Sequence, residues 1–259
     1  SDLVYKMYGA VTRARNCFLY TKKGVRLTDL FQEDGRAILG WAGGNAYTFM
    51  KNAMNRGVSG SFITECADRV EKAISKLFNS ERQVAYFSNK SDALKYALLF
   101  SKESTIVWKP WSTFQQDISS VKSIVFAPTF PWTDSIYIVA IQKDFYSENI
   151  ELDDFAKNKM KLPFSLQAGI ARSIYNLIEA LSERKETDWF IYDSILTKYW
   201  TRKGPYLFPK IPQEDYDRFV LHCLSLGIII NPNYDSPSIV PFGADKGVFT
   251  KLKNTPFNC

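Results

Sequence analysis

The stretch QVAYFSNKSDALKYALLF, Gln83 to Phe100, joins a β-prone run to an apolar helical pattern through four polar residues. The run QVAYF predicts a short strand, and Ala93 and Ala97 recur with their apolar neighbours at helical spacing. Strand, turn and helix in this order make half of a βαβ unit. The polar tetrad between them consists of Ser88, Asn89, Lys90 and Ser91. Because a helix N-terminus exposes unpaired backbone N–H groups, the tetrad is a candidate phosphate cradle.

The same tetrad has a simpler interpretation as a helix cap. Ser88 or Ser91 can accept a hydrogen bond from the first free N–H groups of the helix. Asp92 then suits the first turn, since a carboxylate is favourable at the positive end of the helix dipole. Capping is far commoner than anion binding, so the tetrad taken alone favours a capped helix.

The composition predicts a folded protein that does not cross a membrane. The chain has 259 residues, of which 46% are hydrophobic and 15% aromatic, too many for a disordered chain. No apolar run approaches the roughly 20 residues that span a bilayer, and the N-terminal sequence lacks the pattern of a signal peptide. A cytoplasmic location without membrane contact is therefore expected.

The formal net charge of +6 raises the question of nucleic-acid binding. Lysines are interspersed with acidic residues along most of the chain, which is typical of a solvated mixed surface. A nucleic-acid partner is thus not expected. The alternative is a binding module in which Trp108, Trp111 and Trp132 stack on bases, instead of filling a core or an interface.

Cysteine and histidine are too sparse to predict a metal centre. The four cysteines are Cys17, Cys66, Cys223 and Cys259, and no two form a CxxC pair. Buried, reduced thiols are expected. His222 is the only histidine, so a zinc site or a Ser-His-Asp triad would depend on this one imidazole, and a structural role is favoured.

Strand and helix patterns alternate along the chain. The predicted strands are Val25–Leu30, Ala37–Leu39, Gln83–Phe87, Thr105–Trp108, Ser123–Phe126, Ser135–Ile141 and the GIIIN run before Pro232. The predicted helices cover Phe62–Leu77 with Ser59 or Ser61 as cap, the segment after the tetrad, Ser165–Leu181, Thr187–Tyr199, Gln213–Leu226 and a helix or turn in GADKGVFTKLKN. The first two strands are expected to form a hairpin, the middle ones a mixed sheet, and the last third a small α+β lobe.

The order of these landmarks resembles the class III pyridoxal-phosphate-dependent aminotransferases, including the glutamate-semialdehyde aminomutase type. In that family a hairpin ends in a Leu-Gly pair, here Leu39-Gly40, and a later helix begins with a Thr-Phe motif, here Pro163-Phe164-Ser165. Its strand-turn-helix reads Asn-Ser-Gly-Ser/Thr-Glu-Ala, which here becomes the tetrad followed by Asp92-Ala93.

The resemblance implies an α/β protein of fold type I, aspartate aminotransferase-like: a reduced large domain with a mixed sheet and a small α+β domain. The implied parts are residues 1–47 as the N-terminal hairpin segment of the small domain, 48–162 as the large domain, and 163–259 as the C-terminal small domain. Lys90 and Ser91 would lie where the family holds the cofactor phosphate. A homodimer is implied as well, because the family's active site lies between two subunits.

The chain departs from the family where the chemistry resides. The aromatic-His-Gly segment that stacks on the cofactor ring and the Asp-Glu-Val stretch that pairs with the pyridine nitrogen are both missing. Pro128, Thr129 and Phe130 occupy the nearest positions for the Schiff-base lysine, and Lys90 replaces a glycine that lets the backbone approach the phosphate. We therefore expect an aminotransferase-fold protein without transaminase activity, without pyridoxal phosphate as cofactor, and with a residual phosphate-binding turn.

A second hypothesis keeps the enzyme and moves its lysine. The substitutes within the chain are Lys143, Lys157, Lys159 and Lys161. A partner can supply the lysine instead, and a separate polypeptide can complete the large domain. The simpler interpretation of these four lysines is a solvated, charged loop.

Overall fold

The structure, a computed structural model, describes residues 2–57, 66–112, 117–132, 134–155 and 158–258. Its helices are α1 Asp2–Tyr8, α2 Ala46–Asn55, α3 Cys66–Phe78, α4 Lys90–Phe100, α5 Lys143–Glu148, α6 Phe164–Glu183, α7 Thr187–Phe190, α8 Asp193–Leu196, α9 Tyr216–Ser225 and α10 Thr250–Asn254. Its strands are β1 Val11–Arg15, β2 Phe18–Thr21, β3 Arg26–Asp29, β4 Arg82–Phe87, β5 Thr105–Val107, β6 Ser123–Phe126, β7 Tyr137–Gln142, β8 Trp200–Lys203, β9 Tyr206–Pro209, β10 Ile228–Ile229 and β11 Ser238–Ile239. The caps expected at Ser59 or Ser61, the helix start at Phe62, and Lys157 and Cys259 lie outside the described residues.

The chain divides into two compact units. The terminal unit combines Ser1–Ala42 with Glu183–Cys259, and the central unit is Gly43–Ser182. The divisions expected after residues 47 and 162 differ from these, the second because α6 packs within the central unit. There the α6 residue Gly169 lies against Phe130, and the Ser173 carbonyl accepts a hydrogen bond from Thr129.

The central unit contains a four-stranded mixed sheet in the order β4-β7-β6-β5. β7 runs antiparallel to β4 and β6, and β5 is parallel to β6. The inner strands SIVF and YIVAIQ are buried along most of their length, as their unbroken apolar sequences require. The strands predicted at Thr105–Trp108, Ser123–Phe126 and Ser135–Ile141 are confirmed, with ends that shift by one or two residues.

Helix α4 packs one face against this sheet. Its buried side chains are Ala93, Tyr96, Ala97 and Phe100. They share a core cluster with Phe87 at the end of β4 and with Val125 and Val139 in the inner strands. The tetrad is thus held at the point where β4 ends and α4 begins, as the sequence predicts.

The terminal unit contains two small sheets, in the orders β1-β2-β3-β10 and β11-β9-β8. β10 pairs parallel with β3, which ties the C-terminal segment to the N-terminal strands. The predicted strand at Ala37–Leu39 is wrong, because residues 36–45 form consecutive turns and β2 is the hairpin partner of β3. The helix predicted at Thr187–Tyr199 is divided into α7 and α8, at a break where the Tyr192 hydroxyl donates to the Ala244 carbonyl at 2.5 Å.

The surroundings of Cys17, Cys223 and His222 are typical of residues with a structural role. Cys17 and Cys223 are free and buried, as expected, and burial raises the pKa of the Cys17 thiol to about 11. Nε2 of His222 lies 3.0 Å from the Thr255 carbonyl, and its ring packs against Phe257 at 5.5 Å.

Within the described ranges, no helix is long and apolar enough to cross a membrane, and no group of three or more His, Cys, Asp or Glu residues is arranged to hold a metal ion.

Candidate functional site

The first turn of α4 is closed by a reciprocal pair of side chains. The Asn89 side-chain oxygen accepts a hydrogen bond from the Asp92 backbone N–H at 2.8 Å. In return the Asn89 amide donates to the Asp92 carboxylate at 2.9 Å. The predicted caps Ser88 and Ser91 are therefore wrong, although the prediction of a capped helix is confirmed.

The Asp92 carboxylate at this helix end has two further partners within the chain. The Asn158 amide donates to the Asp92 carboxylate at 3.0 Å, and the Lys95 ammonium lies 3.8 Å away. Hydrogen bonds from Asn89 and then from Asn158 lower the pKa of Asp92, so its carboxylate is ionised at neutral pH. An ionised carboxylate in the first turn interacts favourably with the positive end of the helix dipole.

The tetrad residues themselves lie together and are all exposed to solvent. Lys90 and Ser91 belong to the first turn of α4, and Ser88 and Asn89 precede it. A bound phosphate would meet the Lys90 side chain at a place where the family has a glycine backbone. The described residues at this turn form a helix cap, and Lys90 stands where the family has a glycine; a phosphate site at Ser88, Asn89, Lys90 and Ser91 stays a prediction.

The segment that follows β6 is filled by an aromatic ring instead of a lysine. Phe130 is 1% exposed, and its ring packs against Tyr47 at 4.9 Å and against Trp132 at 6.0 Å. Thr129 is 2% exposed, and its hydroxyl donates to the Ser173 carbonyl at 3.4 Å. The place that the resemblance assigns to the Schiff-base lysine is thus part of an apolar core.

Gly169 shows how closely this core is packed. A Cβ atom built on Gly169 would lie 3.0 and 3.1 Å from atoms of the Phe130 ring and 3.4 Å from Cβ of Met50. Glycine inside a helix costs about 1 kcal/mol relative to alanine, so its presence in the middle of α6 needs a reason. Close approach of the Phe130 ring supplies that reason.

Two of the described substitute lysines, Lys143 and Lys159, form ion pairs with carboxylates. The Lys143 ammonium pairs with the Glu81 carboxylate at 3.0 Å, and this hydrogen bond is the main cause of its raised pKa. The Lys159 ammonium contacts the Asp153 carboxylate, and Lys161 is exposed. An imine-forming lysine needs a neutral amine, and an ion pair with a carboxylate favours the charged one.

The tryptophans proposed for base stacking differ in exposure. Trp108 is 6% exposed and packs edge-on against Phe78 and Phe126 at 5.2 and 5.9 Å. Trp111 and Trp132 are half-buried, and Trp132 stacks on Phe130. Trp108 is therefore a core residue, in line with the structural interpretation of these side chains.

The terminal unit has a polar centre that the sequence does not reveal. Asp29 is 1% exposed, its Oδ1 accepts the N–H groups of Phe31 and Gln32 at 3.0 Å each, and its Oδ2 accepts Nε1 of Trp41 at 2.9 Å. Burial raises the pKa of Asp29 to about 6 despite these hydrogen bonds. The position of Asp29 near the end of a predicted strand is the only sequence signal of this buried carboxylate. The run QEDG shortly after it is typical of an exposed acidic turn and hides that signal.

The chain matches no protein-family model. It is 24% identical over 280 residues to an uncharacterised protein of Treponema pallidum (strain Nichols), covering 92% of this chain and 91% of the relative. It is 25% identical over 254 residues to an uncharacterised protein of Borreliella burgdorferi, covering 95% and 90%.

Solved structures give a likeness of fold. The ornithine delta-aminotransferase of Plasmodium falciparum aligns with a TM-score of 0.65 at 9% identity, over 97% of this chain and 95% of that one. The acetylornithine aminotransferase of Elizabethkingia anophelis gives 0.65 at 11%, over 97% and 96%. The protein has the fold of the pyridoxal-phosphate-dependent aminotransferases. An omega-transaminase of Sphaerobacter thermophilus agrees, with 0.65 at 10% over 95% and 91%. At these identities the likeness shows the fold alone.

Proposed function

We propose that the protein keeps the aminotransferase fold without transaminase chemistry. The observation that carries this proposal is Phe130, which is buried in the segment that the resemblance assigns to the Schiff-base lysine. Gly169 has no side chain, so α6 can lie close to the Phe130 ring. Phe130 is therefore part of the core packing. Pyridoxal phosphate serves as an electron sink when a lysine and a pyridinium partner hold it, and the described residues offer neither in place.

The proposed role is that of a cytoplasmic binding or scaffolding protein that forms a homodimer. Helix α2 of the central unit supports the dimer, because Phe49 and Met54 on it are 42% and 59% exposed. A partner that covered these two side chains would remove their apolar surface from water, which favours association. The central unit, Gly43–Ser182, would correspond to the family's reduced large domain, and the terminal unit to its small one.

The cofactor test is a titration of the purified protein with pyridoxal phosphate, followed by borohydride reduction and peptide mapping. We expect no saturable visible absorption band, and labelling spread over exposed lysines. A genuine ornithine aminotransferase treated in parallel serves as the positive control. One dominant labelled peptide containing Lys143, Lys157, Lys159 or Lys161, lost when Lys90→Ala and Ser91→Ala are combined, would establish the enzyme and overturn the proposal.

The dimer test is light scattering coupled to size exclusion at micromolar concentration. The wild-type protein should have twice the mass of one chain, and Met54→Glu should shift it toward the monomer. Gln213→Glu adds the same charge at an exposed position of the terminal unit and should leave the mass unchanged. A wild-type monomer would contradict the dimer and leave the cofactor result as it stands.

A further inference from the structure

The terminal unit contains a cavity of about 560 Å³ that is partly open to solvent. This volume lies within the range of about 300–1,000 Å³ that is usual for small-molecule sites. Its walls come from α1, from α9 and from the sheet β1-β2-β3-β10. The apolar part of the wall includes Leu3, Tyr5, Leu19, Phe31, Leu224 and Ile229.

Helix α1 forms one wall without being part of the core. It has no buried side chain, and the hydroxyl of Tyr8 fastens its end to α9 by donating to the Leu224 carbonyl at 2.7 Å. Leu3 and Tyr5 are 43% and 67% exposed beside the cavity. A seven-residue helix is not stable by itself in water, so a bound molecule that covers these side chains would stabilise it.

The charged residues that line the cavity have one sign. Asp29 and Glu33 contribute carboxylates, and the described lining residues include no lysine, arginine or histidine. Asp29 lies at the bottom of this acidic wall, since it is 1% exposed, whereas Glu33 is half-buried and accessible. A cation that enters the cavity would gain from both carboxylates, and an anion would be repelled.

The turn that carries Glu33 is held in an unusual conformation. Gln32, Glu33 and Asp34 all have left-handed backbone angles, with φ of 47°, 50° and 55°. Asp29 holds one end of this turn through the Gln32 N–H, and the Asn231 amide holds the other by donating to Asp34 at 3.2 Å. The acidic wall is therefore preformed, so binding would require little ordering of the turn.

We propose that this cavity binds a small amphipathic cation, in which an aliphatic chain lies along the apolar walls and a protonated amine lies beside Glu33 and Asp29. The apolar lining would bury the aliphatic chain of the ligand, and the two carboxylates would attract its positive charge. The proposal concerns the terminal unit alone and does not depend on whether the central unit binds a cofactor.

The test uses three ligands of equal chain length and different head groups: octylammonium, octanol and octanoate. Calorimetric titration should show saturable binding of octylammonium, with octanol weaker and octanoate weaker still, by roughly tenfold or more against the ammonium. Shortening the ammonium to hexyl should weaken binding about fourfold per methylene removed.

Three variants locate the site. Glu33→Gln should weaken octylammonium roughly fivefold and leave octanol unchanged, because it removes charge without changing shape. Leu224→Trp should reduce the affinity for octylammonium and octanol alike by filling the cavity. Glu214→Gln, an exposed acid of the same unit that does not line the cavity, should change neither.

Four results would overturn the proposal. Equal affinity for the three head groups would show unspecific apolar partition, and a preference for octanoate would show the opposite charge. Failure of octylammonium to saturate below its aggregation concentration would show that the cavity takes no such ligand. Octylammonium binding that Glu33→Gln and Leu224→Trp both leave unchanged would place the site elsewhere.

Discussion

Replacing Asp29 with asparagine should change how the stability of the terminal unit depends on pH. The variant keeps an oxygen that can accept the N–H groups of Phe31 and Gln32, and it removes the buried charge. In the folded protein burial raises the pKa of Asp29 from 3.8 to about 6. A carboxyl with a raised pKa is favoured in its protonated form by folding, so it contributes stability at low pH and loses it as the pH rises.

The size of the effect follows from that difference in pKa. Each pKa unit corresponds to about 1.4 kcal/mol, so a rise of roughly two units amounts to about 3 kcal/mol. Between pH 4 and pH 7 the free energy of unfolding of the wild type should therefore fall by about 2.4 kcal/mol relative to Asp29→Asn, which is most of the full difference. The window lies between the unfolded and folded pKa values, and the difference levels off on either side of it.

Two measurements check this prediction. Urea denaturation at half-unit steps from pH 4 to pH 7 gives the stability difference between wild type and variant. A carbon-13 titration of the Asp29 carboxyl gives its pKa directly, with an expected midpoint near 6. Asp235→Asn, which removes an exposed carboxylate of the same unit, is the matched control. A flat curve for Asp29→Asn, or a midpoint below 4, would refute the desolvation argument.

Three further predictions concern the central unit, each checked by chemical denaturation. Gly169→Ala should destabilise by about 1–2 kcal/mol, because the clash of its methyl group with Phe130 outweighs the gain in helix propensity. Adding Phe130→Leu should restore most of this loss. Additive effects of the two substitutions would contradict the contact. Arg82→Met should cost about 3 kcal/mol, because the buried guanidinium donates to several backbone carbonyls, and a loss below 1 kcal/mol would contradict that role. Asn89→Ala should lower the free energy of unfolding by about 1 kcal/mol, and Ser88→Ala should hardly change it. A larger loss for Ser88→Ala than for Asn89→Ala would show that Ser88 is the cap.

The sequence predicted the central unit well because its elements are set by local patterns. Apolar runs rich in β-branched residues specify β5, β6 and β7, and helical spacing specifies α4 and α6. The strand at Ala37–Leu39 failed for the opposite reason. Three apolar residues suggested a strand, but the left-handed turn before them is fixed by the buried Asp29, a contact that no local pattern reveals.

The candidate sites were less accessible to sequence reasoning. Asn89 was not distinguished from Ser88 and Ser91 as the cap, because serine and asparagine cap helices about equally well. Three-residue spacing to Asp92 was the signal that could have decided it. The cavity of the terminal unit was beyond prediction, since its walls bring Leu3 together with Leu224, which are more than 200 residues apart in the chain.

The fold and the chemistry of an aminotransferase depend on different residues, and Phe130 shows how they separate. A lysine in an apolar core is costly, because its ammonium loses hydration unless a partner neutralises it. A phenylalanine at the same place stabilises the core by burying its ring, by about 2–3 kcal/mol. Under the proposed function no cofactor is held at this place, so an aromatic residue is the more stable choice, and Gly169 lets α6 approach its ring. Under that proposal the inner strands and α6 would be retained for the packing they provide, because a fold can be kept without the chemistry for which other proteins use it.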